Sequence, residues 1–293
     1  MLKIVEGQFN RGFIALLALG ALIGPASVLA NGRNEAFRPT VYVYSDSGAC
    51  PDGCITAVLD LAHSNGYRTV EVRAIDLQGT NGFINPRVGD LWIQPGGDAV
   101  VAARAIGVNG IERLRHWVGE GMNYLGFCAG AFLADSDVDD ADTLPGLGLI
   151  PFQTENFLPG RHESMILNLS WNGQSRWLYF QDGPTFTAPL LGNVELIASY
   201  ANHLPAVIQT QFGKGRVVLS GVHPEAPADW ARDDHLYDPD GVDTDLANEL
   251  FVRAMGDPTA VSATRNSRST GSASRAMGIR RAENIPGRRS RRS

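Results

Sequence analysis

A cysteine between two glycines constrains the fold more than any other feature of this 293-residue chain. The motif Gly126-Phe-Cys-Ala-Gly130 directly follows Asn123–Phe127, an apolar run that predicts a buried strand. The flanking glycines allow a sharp turn from strand to helix that holds the central side chain above the sheet. The motif therefore predicts a nucleophile elbow at Cys128. An inert, buried cysteine at a tight strand–helix junction is the alternative.

The segments before this motif predict an α/β domain. Strands are expected at Thr40–Tyr44, Thr69–Ile75 and Asp90–Gln94, and helices at Cys54–Ser64 and Ile111–Gly119. Short apolar strands that alternate with helices are typical of a parallel sheet covered on both faces.

After Glu163 the pattern changes to successive strands, which predicts an antiparallel β extension in the C-terminal half. The strand-like segments are Ser164–Trp171, Ser175–Phe180, Val194–Tyr200, Ala206–Phe212 and Arg216–Ser220. A last helix is expected at Thr244–Met255. The predicted domain covers residues 38–256, between a targeting segment at 1–30 and a basic tail at 257–293 that is too polar to pack.

A second loop carries side chains that suit a cysteine nucleophile. Gly221-Val-His-Pro-Glu225 follows the last predicted strand. Because the carboxyl ends of parallel strands share one edge of a sheet, this loop is expected beside Cys128. His223 would be the general base, and Glu225 would orient its imidazole. Taken alone, a histidine before a proline is an ordinary turn residue.

A third loop, Gln94-Pro-Gly-Gly-Asp98, also follows a predicted strand. Gly96 and Gly97 are expected to present backbone N–H groups to an oxyanion, with the N–H of Ala129 as their partner. Taken alone, Pro-Gly-Gly is only a turn.

Together these three loops resemble the class I glutamine amidotransferase-like superfamily, and within it the biotin-protein ligase N-terminal-like family. The strand Val41-Tyr-Val-Tyr44 and the segment Tyr179-Phe-Gln-Asp-Gly-Pro-Thr-Phe186 also look like that family. The resemblance covers about residues 40–256. It implies a flavodoxin-like parallel sheet between helices and a Cys-His-Glu triad, carried onto Cys128, His223 and Glu225.

The resemblance leaves the activity open. Glutamine-hydrolysing members have a glutamine two residues beyond the elbow, where this chain has Phe132. We therefore expect a thiol-dependent amide or ester hydrolase, or an acyl transferase, acting on a small or peptide-like substrate without a cofactor. A non-catalytic module that binds a ligand or partner in the same cleft is the alternative. A third hypothesis is a latent enzyme that becomes active when the basic tail docks.

Residues 1–30 predict export. Lys3 and Arg11 precede the apolar run Phe13–Ala30, in which Val28 and Ala30 suit cleavage by signal peptidase. We expect a secreted or periplasmic protein without a stable membrane span after cleavage; an uncleaved anchor is the alternative.

The cysteine spacing fits that compartment. Cys50 and Cys54 are close enough to pair in an oxidising environment. Two unpaired cysteines, or a metal site, are the alternatives. No metal is expected, since neither His162 with Glu163 nor Asp233-Asp234-His235 has the spacing of three ligands. Acids between Asp135 and Asp142 are expected to form a solvated loop.

Charge is distributed unevenly. Residues 258–293 hold nine arginines and one acid, which leaves a net charge of −14 on residues 1–257. Such an acidic domain is a poor surface for nucleic acid. The basic tail is expected either to solubilise the chain or to contact an anionic surface.

Overall fold

A computed structural model describes residues 38–50, 53–79, 84–139, 143–187, 190 and 192–256. The predicted signal peptide, the basic tail, Asp140 and Asp142 lie outside these residues. The strands are β1 Val41–Tyr44, β2 Thr69–Val72, β3 Leu91–Gln94, β4 Asn123–Phe127, β5 Thr154–Asn156, β6 Met165–Trp171, β7 Gln174–Phe180, β8 Pro184–Phe186, β9 Glu195–Tyr200, β10 Pro205–Phe212 and β11 Gly215–Ser220. The helices are α1 Cys54–Ser64, α2 Ala74–Gln78, α3 Ala99–Glu120, α4 Ala129–Leu133, α5 Ala228–Asp233 and α6 Thr244–Met255.

The main sheet has nine strands in the order β2-β1-β3-β4-β11-β10-β9-β6-β7. Strands β2, β1, β3, β4 and β11 run parallel to one another. From β11 outward the pairs are antiparallel. The predicted α/β class, with a parallel sheet and an antiparallel extension in the C-terminal half, is confirmed.

Side chains that alternate along the central strands form two buried cores, one on each face of the sheet. Tyr42 and Tyr44 of β1 pack into the core that holds the apolar residues of α2, α3 and α4. Val41 and Val43 pack into the opposite core, with the apolar residues of α1 and α6. Because both faces are covered, the functional groups lie at the carboxyl edge of the parallel strands.

The predicted bounds of α1, β4 and α6 match the structure, but two other elements were placed wrongly. The second strand ends at Val72 rather than Ile75, and α2 begins at Ala74. Helix α3 begins at Ala99, where Asp98 caps it by accepting a hydrogen bond from Val101 N at 2.9 Å. Its first half was missed because Gly107 adopts a φ of 68°, which kinks the helix and interrupts its apolar period.

Among the described residues, no helix has the length and apolar content needed to cross a bilayer.

Candidate active site

Cys128 lies in a sharp turn between β4 and α4. Its φ of 46° and ψ of −104° are sparsely populated for a residue with a side chain. The turn is held by the Cys128 N–H, which donates to Ser220 O at 2.8 Å. It also needs glycine on the strand side, because a Cβ on Gly126 would lie 2.5 Å from Gly130 O. The predicted elbow geometry is therefore present at Cys128.

His223 and Glu225 follow β11, the strand adjacent to β4, as the sequence predicted. His223 Nδ1 lies 2.8 Å from Glu225 Oε1, and both side chains are buried. The other ring nitrogen is left for the thiol, and Cys128 lies close enough to the imidazole to raise its pKa. The thiol also lies 3.5 Å from Gln181 O. The structure thus places Cys128 beside the hydrogen-bonded pair of His223 and Glu225.

Burial and charge act in opposite directions on the His223 imidazole. Burial disfavours the imidazolium, whereas the charge of Glu225, its acceptance of a hydrogen bond from the ring, and the nearby Cys128 favour it and raise the pKa of His223 to about 10. A protonated imidazole at neutral pH stabilises a thiolate beside it. Helix α4 has only five residues, so its dipole contributes little and the imidazole is the main electrostatic partner of the sulfur.

The loop after β3 borders the same site. A Cβ on Gly96 would lie 2.7 Å from His223 Cε1, so this glycine lets the imidazole approach the backbone. Gly97, with a φ of 139°, packs against the loop that contains Cys50. Among the described residues, neither Gly97 N–H nor Ala129 N–H donates a hydrogen bond. Both groups are therefore free to serve as oxyanion donors.

Cys50 and Cys54 are joined by a disulfide at the beginning of α1. A Cβ on Gly96 would lie 3.3 Å from Cys54 Sγ, which places the disulfide close to the His223 loop. Cys128 is the free thiol among the described residues.

A cleft of about 1220 Å³ opens over Cys128 and His223. The disulfide and Gly97 form one wall, and Phe132 of α4 also lines the cleft. Two other walls come from the segment 153–162 and from residues 230–234 around α5. The aromatic side chain at 132 thus contributes to the surface of the cleft.

Sequence reasoning gave no role to several residues that hold His223 in place. Tyr179 O accepts a hydrogen bond from His223 N at 2.9 Å, and the Tyr179 ring contacts the imidazole edge to face. Trp230 packs against both rings, with centroids 5.2 Å from Tyr179 and 5.4 Å from His223. The Tyr179 hydroxyl donates to Asp234 Oδ2 at 2.5 Å. The only signal for Tyr179 was its place in a family-like segment, and Trp230 had none.

The acids after the elbow were predicted to form a solvated loop, and for Asp135 this is wrong. Asp135 is buried, and its carboxylate accepts hydrogen bonds from Ser136 N at 2.6 Å, Thr154 N at 2.5 Å and Thr154 Oγ1 at 2.9 Å. It joins the end of α4 to β5, a long-range contact that no local pattern reveals.

His162 and Asp234, which were considered as metal ligands, form hydrogen bonds with other side chains. His162 Nδ1 lies 2.7 Å from Asp182 Oδ2, and Asp234 is held by Tyr179. Among the described residues, no three His, Cys, Asp or Glu side chains are grouped so as to hold a metal ion.

Comparison with known proteins shows which sequences this chain is similar to. Residues 39–150 match the family model described as biotin-protein ligase, N terminal. A biotin–protein ligase of Schizosaccharomyces pombe is 26% identical over 163 residues, covering 47% of this chain and 26% of that protein. The chain therefore spans about a quarter of the length of this curated relative.

Solved structures show the fold. A crystal structure of a glutamine amidotransferase is 24% identical and has a TM-score of 0.51, covering 74% of this chain and 99% of that one. A glutamine amidotransferase of Thermotoga maritima is 11% identical with a TM-score of 0.46, covering 75% of this chain and 99% of that one. The first of these likenesses shows a glutamine amidotransferase-like fold.

Proposed function

We propose that this chain, which has a glutamine amidotransferase-like fold with a biotin-protein ligase N-terminal domain, is a thiol-dependent hydrolase or acyl transferase of amides or esters. The observation that carries the proposal is that Cys128 and His223 line one cleft while buried Glu225 lies 2.8 Å from the imidazole. A strained elbow, a buried base and a buried carboxylate are the parts that an activated cysteine nucleophile needs.

In the proposed reaction, the Cys128 thiolate attacks the carbonyl carbon of the substrate and forms a tetrahedral oxyanion. The N–H groups of Gly97 and Ala129 stabilise that oxyanion. Its collapse breaks the bond to the amine or alcohol, which leaves with the proton of the His223 imidazolium. The acyl group remains on the sulfur as a thioester.

Release of the acyl group reverses these roles. His223 takes a proton from water, or from an accepting nucleophile, as it attacks the thioester. Collapse of the second tetrahedral species expels the sulfur, and the acid or transferred product leaves. Glu225 keeps the imidazole oriented and stabilises its cation in both steps.

The substrate is proposed to be something other than glutamine. The family glutamine beyond the elbow is replaced by Phe132, which lines the cleft and offers no amide to hold a substrate. The biotin-ligase activity of the Schizosaccharomyces pombe relative is not extended to this chain, which covers only 26% of that protein.

Alkylation of the purified protein tests the proposed nucleophile. Iodoacetamide at pH 7 should modify Cys128 faster than it modifies a small reference thiol, because the His223 imidazole beside the sulfur activates it as a nucleophile. His223→Gln should reduce the rate to that of the reference thiol, and Cys128→Ser should abolish labelling. An exposed-histidine variant, His203→Gln, is the matched control and should retain the wild-type rate. A wild-type rate no faster than the reference would refute the proposal.

One observation favours a second candidate, a non-catalytic module that binds a ligand in this cleft. Phe132 gives the cleft an apolar contact in place of the family amide. Complementation separates the two functions, since Cys128→Ser would abolish the role of an enzyme in its host and preserve that of a binding module.

We also propose that the protein works outside the cytoplasm. The Cys50–Cys54 disulfide supports this location, because such bonds persist in oxidising compartments. Cell fractionation with a C-terminal epitope tag tests it, and recovery of the chain only from the cytoplasm would refute it.

A further inference from the structure

We infer that the cleft selects amide or ester substrates that carry a positive charge, an ammonium or guanidinium group, on their non-reacting part. The inference rests on the proposed function and names the substrate class of the same site. It is carried by the charges of the cleft wall and by two aromatic rings beside His223.

Carboxylates dominate the charge of the cleft wall. Eight acids line it: Asp98, Asp135, Asp137, Asp139, Glu155, Asp182, Asp233 and Asp234. Among the described residues that line the cleft there is no lysine or arginine, and His162 and His223 are its basic side chains. A cleft lined by charges of one sign concentrates ligands of the opposite sign.

Nearby cations neutralise only part of this charge. Arg232 pairs with Asp233 at 3.0 Å, but both side chains are more than two-thirds exposed, so solvent screens the pair. The charge of Arg104 lowers the pKa of Asp139, after the larger effect of its hydrogen bonds with Thr143. The buried Cys128–His223–Glu225 series adds no net positive charge when the sulfur is a thiolate and both partners are ionised.

Asp182 lies next to a residue that contacts the thiol. It follows Gln181, whose carbonyl accepts the hydrogen bond from Cys128 Sγ. Asp182 Oδ2 contacts His162, whereas Oδ1 is buried and has no hydrogen-bond partner among the described residues. Asn156 Oδ1, from another wall of the cleft, is also a buried acceptor without a hydrogen-bond partner among the described residues. The Asp182 side chain is one-third exposed, so its carboxylate contributes to the charge that a ligand in the cleft meets.

Two aromatic rings that line the cleft also favour a positively charged ligand. Tyr179 and Trp230 both line the cleft and pack against His223. Asp233 and Asp234 lie three and four residues after Trp230. A cation beside these residues would contact an indole or phenol face and a carboxylate at once. The cleft thus combines the two features that attract organic cations in proteins.

The experiment uses charged thiol reagents of similar size on the full chain with its disulfide intact. Aminoethyl methanethiosulfonate is cationic, the sulfonatoethyl analogue is anionic and the methyl analogue is neutral. The Cys128 thiolate attacks the sulfenyl sulfur of each reagent, which forms a mixed disulfide and releases methanesulfinate. The cation-to-anion rate ratio should exceed that of a small reference thiol by at least about tenfold at low ionic strength. It should decline as salt shortens the Debye length from about 30 Å to about 8 Å.

Neutral variants locate the charge that causes the preference. Asp182→Asn keeps a residue that tolerates the φ of 52° at this position, and Asp233→Asn removes the charge beside Trp230. Each should lower the rate ratio by several fold, and the double variant by more. Asp60→Asn is the matched control, since Asp60 is exposed on α1 and outside the cleft; its ratio should equal that of the wild type.

The outcomes separate this inference from the proposed function. A ratio at or below that of the reference thiol, or one that both cleft variants leave unchanged, overturns the charge selection. A rapid reaction with the neutral reagent alongside such a ratio would leave the nucleophile intact and remove only the inference about substrates. A slow neutral reaction with a strong cation preference would remove the nucleophile, and the cleft would then be a binding site for cations.

Discussion

His223 Nδ1 lies 2.8 Å from Glu225 Oε1 where both side chains are buried, at 4% and 0% exposure. A buried carboxylate is costly unless its neighbour is charged or donates to it, so Glu225 depends on the imidazole beside it. This relationship connects the stability of the fold with the state of the thiol, because the same imidazole also contacts Cys128.

The first prediction concerns stability against pH. The pKa of His223 is about 10 in the folded protein and about 6.5 in an unfolded chain. Between these values the folded state holds a proton that the unfolded state has released, so the free energy of unfolding falls as pH rises. The contribution is complete below about pH 6.5 and lost above about pH 10, with a slope of at most about 1.4 kcal/mol per pH unit.

Urea unfolding between pH 6 and pH 10 measures this slope. Glu225→Gln removes the charge that favours the imidazolium, so the decline across that range should become shallower. An equally steep decline in Glu225→Gln would show that other groups cause the pH dependence.

The second prediction concerns the approach of the backbone to His223. Gly96→Ala places a methyl group 2.7 Å from His223 Cε1 and 3.3 Å from Cys54 Sγ, so the imidazole must shift. The Cys128 alkylation rate should fall by about tenfold or more, because a displacement of an ångström at a reacting group has effects of that size or larger. Circular dichroism checks that the fold is retained.

Gly119→Ala is the control for this substitution. Its added methyl group would meet Phe212 at an ordinary 3.5 Å, in helix α3, far along the chain from the loops of the site. Gly119→Ala should be alkylated at the wild-type rate. If Gly96→Ala is also alkylated at that rate, the close approach at Gly96 does not position the imidazole.

The third prediction concerns the buried carboxylate of Asp135. Asp135→Asn should reduce the free energy of unfolding by about 1–3 kcal/mol, because an amide cannot accept from Ser136 N and from both Thr154 donors without leaving one buried group unpaired. Denaturant unfolding gives the value. Asp137→Asn, whose carboxylate accepts an exposed bond from Ser136 Oγ, should change stability by no more than about 0.5 kcal/mol. Equal effects of the two substitutions would contradict the role assigned to Asp135.

The fourth prediction concerns the disulfide. Cys50 and Cys54 are four residues apart, so their bond closes a short loop and should contribute about 2 kcal/mol. Reduction should lower the stability of the wild type and of Cys128→Ser by this amount. Cys50→Ser with Cys54→Ser should be less stable from the start and should not respond to reductant. A wild-type chain that is indifferent to reductant would contradict the prediction.

Much of the fold was readable because local patterns reflect local physics. The strand before Cys128 and the helices α1 and α6 were bounded correctly from apolar periodicity and turn residues. The glycines at 126 and 130 on either side of the cysteine predicted the turn itself. A side chain at either position would collide with neighbouring backbone. The arrangement of three post-strand loops at one sheet edge followed from the geometry of parallel strands.

The chain alone determined which residues stand at the ends of β3, β4 and β11, and hence which groups could form a site. Only the tertiary structure decided what surrounds them. Tyr179 of β7 accepts a hydrogen bond from His223, and Trp230 of α5 packs against the imidazole. Asp135 is buried against Thr154. The free energy of each of these contacts depends on packing and desolvation rather than on any sequence period.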